Sequence, residues 1–113
     1  MITKINTAQK GFLHVIFELP ANLWANQIFV VGEFNDWNEH SLPMEQEDDG
    51  IWRLELALPI GQRYQFRYRV DGHWLTDNHA DAVVATPYGT QNSLIMVTPM
   101  TGEWMMTNAP PLT

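Results

Sequence analysis

One alternation constrains this chain more than any other feature. Tyr64, Phe66, Tyr68 and Val70 share one parity, and Arg63, Gln65, Arg67 and Arg69 share the other. A segment with this period has one buried face and one wet face, which is the signature of a β-strand in a half-covered sheet. The same period recurs in Leu13, Val15, Phe17 and Leu19 before Pro20, and in Trp52, Leu54, Leu56 and Leu58. Gln27 to Val31 and Leu94 to Val97 are shorter apolar runs. Turn residues separate them: Asp48-Asp49-Gly50, Pro59-Ile60-Gly61, Asp71-Gly72 and Pro87-Tyr88-Gly89. No segment has sustained helical periodicity. Several short strands at this spacing predict an all-β fold, an antiparallel β-sandwich that is immunoglobulin-like in outline.

At 113 residues the chain has room for one domain. We divide it into a lead-in over residues 1–10, a sandwich over 11–98 and a tail over 99–113 with Pro99, Pro110 and Pro111. It is too short for a hydrolase barrel, which needs roughly 250 residues. A net charge of −7 opposes nucleic acid and anionic membranes as partners, since both are held through Lys and Arg. It does not oppose a neutral sugar. Without cysteine there is no disulfide, thiolate metal site or thiol nucleophile. The run from Gly11 to Phe17 is too short for a membrane span and a poor signal peptide, so a cytoplasmic protein is expected. The start at Met1 and the end soon after the last strand suggest a complete chain.

The most informative local feature is Val70-Asp71-Gly72-His73. Asp-Gly between two strands predicts a two-residue hairpin, because both central positions need positive φ. The register then sets Val70 opposite His73 and Arg69 opposite Trp74. Cross-strand partners share a face, so Trp74 belongs on the wet face with Arg67 and Arg69. A slip of one residue would instead bury it. The alternative for Trp74 is a ring that merely covers apolar surface at a sheet edge. Trp37 lies in a polar loop with Asn35, Asp36 and Asn38, after Gly32, where a close backbone approach or a bulge is expected. It is either a lid over the end of the sandwich or a second displayed ring. Two displayed indoles suit sugars: the C–H face of a pyranose stacks on an aromatic ring, and its hydroxyls take a few placed polar groups.

Four strings, VVGEFNDWN, DDGIWRLELALP, YQFRYRVDGHWLTD and YGTQNSLIMV, run in order over roughly residues 13–97. In this they resemble carbohydrate-binding module family 48, which includes the glycogen-binding domain of the AMP-activated kinase β subunit. N-terminal domains of isoamylases and branching enzymes also belong to it. The resemblance implies an early-set immunoglobulin-like sandwich that binds α-1,4-linked glucan or malto-oligosaccharide without catalysis or cofactor. It implies stacking on Trp37 and Trp74, with Arg67 standing where the family has a basic residue, usually Lys. It also implies an inserted side chain at Tyr88, where the family has an aliphatic residue, followed by Thr90 and Asn92.

Other features carry less. Trp52 has core parity. Trp24 lies in a loop, at the surface or a sheet edge. Glu45, Glu47, Asp48 and Asp49 form an acidic tip, but a glycosidase needs two carboxylates facing each other across a cleft. His73, Asp77, His79 and Asp81 match no metal template and are expected to form a solvated loop. Trp104, Met100, Met105 and Met106 make the tail apolar. It either folds back on the sandwich or offers a contact for a protein partner or homo-oligomer. Two other roles stay open: a protein-interaction or regulatory sandwich, and an accessory domain of a glycoside hydrolase or branching enzyme.

Overall fold

The structure is a computed structural model that describes residues 1–7 and 9–98. Two antiparallel sheets pack face to face in an immunoglobulin-like sandwich. The first has the order β1-β2-β5-β4, with β1 Ile2–Asn6, β2 Phe12–Leu19, β4 Glu45–Gln46 and β5 Trp52–Pro59. The second has the order β3-β6-β9-β8, with β3 Ile28–Gly32, β6 Arg63–Val70, β8 Ala82–Ala85 and β9 Gln91–Met96. Strand β7, His73–Leu75, pairs with β6. Since β3 takes one edge of β6 over residues 66–70, β7 and β9 share the other edge end to end.

The core follows the alternation. Leu13, Val15, Phe17 and Leu19 of β2 face Phe66 and Tyr68 of β6, and all six are buried. The rings of Phe17, Phe66 and Tyr68 meet edge to face at centroid distances of 5.2 and 5.6 Å, the arrangement that aligns positive ring edges with negative faces. Trp52 is buried with them. The exposed edge of β3 is shielded by Leu42 to Met44, which bond to Val30 and Ile28, so little bare ladder remains to pair with another chain.

Two expectations need correction. Residues 1–10 are more than a lead-in: β1 pairs with β2 from Ile2↔Phe17 to Asn6↔Leu13. The strand is hard to see in the sequence because Lys4 occupies a core-parity position opposite Val15. Its ammonium reaches Asp81 at 2.7 Å, and an inward-pointing charge is a common device on edge strands. Nor is the His73–Asp81 stretch a solvated loop throughout. Asp77 is buried and accepts hydrogen bonds from the Tyr68 hydroxyl at 2.8 Å and the His79 amide at 2.8 Å. The amino terminus lies 2.6 Å from the same carboxylate. Burial alone would raise the Asp77 pKa; the amino terminus, Tyr68 and the His79 amide prevail and hold it below the ordinary value. Among the described residues no three acids or histidines come together to hold a metal. The Met- and Trp-bearing tail lies outside the described residues.

Candidate functional site

The outer face of the second sheet is set by the hairpin. Asp71 and Gly72 have φ of 46° and 84°, the double left-handed geometry that a two-residue hairpin turn requires. Arg69 pairs with Trp74 and Val70 with His73, as the Asp-Gly signal predicts. Trp74 therefore stands on the wet face, 38% exposed, with the guanidinium carbons of Arg69 and Arg67 at 4.6 and 5.4 Å from its ring centroid. Both lie within cation–π range. Glu39 pairs with Arg69 at 3.3 Å, whereas Arg67, the other arginine against the Trp74 ring, has no carboxylate partner among the described residues. The Arg67 Nε has no hydrogen-bond partner.

The loop after β3 turns Trp37 onto the same face. Gly32 lies against β6 so closely that a Cβ there would come within 2.7 Å of the Gln65 carbonyl and the Phe66 Cβ. The empty space lets Phe34 reach the core, where its ring meets Phe17 and Tyr64 at 5.7 Å. Asn35 then locks the turn. Its side-chain oxygen accepts the Gly32 amide, and its nitrogen donates to Asn38 O and Ser41 Oγ. Asp36 and Trp37 both take positive φ, and the Trp37 amide closes on Gly32 O at 2.9 Å. With Phe34 plugged inward, Trp37 is displayed, 37% exposed, and is not a lid.

Trp37 and Trp74 line one open groove of about 480 Å³. Arg67, Tyr88, Thr90 and Asn92 line it too, so the structure gathers in one place the six residues to which the resemblance assigns sugar contacts. Its floor is the outward parity of β6, β9 and β8, where the Asn92 amide donates to Gln65 Oε1 at 3.0 Å and Val84 pairs with Asn92. Its far wall is the turn from Thr86 to Thr90, closed by Thr86 N to Thr90 O at 2.9 Å and by a 2.6 Å hydroxyl contact between the two threonines. Tyr88 projects from the tip, almost wholly exposed. Among the described residues, no carboxylate lines the groove. Sequence reading passes over Gln65 and Val84 as parts of this site. The Val83-Val84 doublet ahead of a Pro-Tyr-Gly turn is the signal that places β8 beside it.

Paired indoles over a polar floor, on an immunoglobulin-like sandwich, define the class of carbohydrate-binding modules. Residues 15–103 match the family model described as the glycogen recognition site of AMP-activated protein kinase, and the chain belongs to that family. It is also similar to 1,4-alpha-glucan branching enzyme GlgB of Lactobacillus acidophilus, 33% identical over 90 residues, covering 74% of this chain and 14% of that enzyme. Against the GlgB of Deinococcus radiodurans the identity is 39% over 67 residues, 58% of this chain and 9% of the enzyme. A branching enzyme of Pisum sativum is 32% identical over 59 residues, 45% of this chain and 7% of the enzyme. The chain thus spans a small part of each of these relatives.

Proposed function

We propose that the groove binds α-1,4-linked glucan chains by stacking glucose units on Trp37 and Trp74, and that the chain does no chemistry on them. The observation that carries this is the pair of half-exposed indoles on one groove, with Arg67 beside them and outside every ion pair among the described residues. Indoles take the apolar faces of the pyranose units. Arg67, Thr90 and Asn92 supply the few polar contacts that orient them. Non-catalytic binding is supported by the make-up of the groove, whose described residues include no pair of carboxylates to protonate a glycosidic oxygen and activate water. The test is retardation in glycogen-containing gels together with calorimetric titration of β-cyclodextrin and maltoheptaose. Binding that disappears in Trp37→Ala and Trp74→Ala, with unchanged folding, is the expected result. Absence of binding by the wild-type chain at millimolar sugar would overturn the proposal.

A second reading, an accessory role beside a glucan-branching activity, is favoured by the relatives, which are branching enzymes. Adding the chain to such an enzyme and measuring branching on a long glucan tests it; no change in rate at saturating module would remove it.

A further inference from the structure

A third tryptophan lies outside the groove. Trp24, in the loop between β2 and β3, is 93% exposed, far more than Trp37 or Trp74. An indole presented this fully is held out at a cost in apolar hydration, and it is not carried on a slack loop. The Asp71 carboxylate accepts the amides of Asn26 at 3.0 Å and Gln27 at 2.8 Å. The Asp71 amide in turn donates to Gln27 O at 3.0 Å, and Leu23 N closes on Pro20 O at 3.1 Å. The loop bearing Trp24 is therefore stitched to the tip of the hairpin that bears Trp74. Between them lies a second, mainly apolar recess of about 250 Å³, lined by Leu23, Trp24, Val70, Asp71, His73, Trp74 and Leu75. Trp74 lines both this recess and the first groove.

We infer that Trp24 is an additional sugar platform, which takes the continuation of the same glucan chain once it has passed over Trp74. The inference rests on the reading of the first groove as a glucan site. It commits to that ligand because Trp74 lines both recesses, and because the second again sets an aromatic plate beside polar side chains, here Asp71 and His73. The consequence is a dependence on chain length. A short oligosaccharide fills the first groove only, whereas a longer one gains a further stacking contact.

The test compares wild type with Trp24→Ala by calorimetry on maltotetraose, maltodecaose and glycogen. Since Trp24 is almost wholly exposed, its removal leaves the fold intact. Maltotetraose should bind both proteins equally. Maltodecaose and glycogen should bind Trp24→Ala about five- to tenfold more weakly. Equal affinity of the two proteins for every ligand would overturn the inference while leaving the first groove standing. Weaker binding by Trp24→Ala that tracks the loss of a self-association found in wild type by light scattering would assign the ring to a second copy of the chain, and would likewise overturn it. Failure of wild type to bind maltotetraose and maltodecaose alike would strike the first groove itself.

Discussion

Two arginines on opposite sheets are put to opposite uses. Arg53, on β5, is surrounded: its Nε donates to Glu18 at 2.7 Å, Nη1 to Glu47, and Nη2 to Asp49 at 3.0 Å. Asp49 also accepts the Ile51 amide, and that bond, with the Arg53 contact, lowers its pKa. Arg67, on β6, has a tryptophan face and no acid. The acidic corner borders a recess of about 520 Å³, comparable in size with the aromatic groove. Volume therefore does not mark the site. A cation whose donors are consumed by fixed carboxylates is structural, and a neutral sugar gains little by competing with them. A cation set against an indole on the wall of a groove, outside every ion pair among the described residues, is placed to meet a ligand.

The contrast can be broken or sharpened by mutation. The largest effect is expected from Trp74→Ala, which should weaken glucan binding by at least about thirtyfold, as for a central aromatic anchor. Tm should hold, since the ring is on the wet face; a collapse of Tm would place Trp74 in the core and end the comparison. Arg67→Ala comes next, with a loss of about tenfold in affinity from removal of charge-assisted contacts. Arg67→Lys should recover part of it, because the charge returns while the planar fork does not.

Asp77 offers a buried counterpart to the acidic corner. Its pKa is lowered in the folded chain, so the unfolded chain takes up a proton first as the pH drops. The stability it confers is present at neutral pH and is lost progressively below about pH 4. Tyr68→Phe should cost about 1–2 kcal/mol at pH 7 by removing a buried donor. Chemical denaturation from pH 7 down to pH 3 would show it, with the gap between the variants narrowing in acid. A gap that widened in acid would contradict the assigned sign. The smallest change is expected from Arg53→Ala: a drop in Tm under about 5 °C and unchanged affinity for maltoheptaose. A loss of sugar binding there would mean that the two arginines are not functionally distinct.

Much of this was legible in the sequence, for identifiable reasons. Strand β6 and the Asp-Gly turn announce themselves locally, since alternation and positive φ depend on neighbours in sequence. They carry the face of Trp74 with them. Strand β1 was not legible because its core-parity Lys4 depends on Asp81, far along the chain. The burial of Asp77 depends likewise on Tyr68 and Ser93, which only the packed sheets bring near. Trp37 sits between these cases. Its turn residues are local, but its outward display follows from Phe34 entering the core beside Gly32.

Gly32 has a consequence for how this surface can change. The atoms that a methyl group would strike belong to the central strand β6, as backbone and Cβ, and neither can swing away. Relief would have to come from moving the turn that carries Trp37, and with it the spacing between the two aromatic plates. The pitch of the surface is thus gauged by an absent methyl group. Loops at the rim can vary freely, but a substitution at this one position would detune every contact that depends on the interval between the rings.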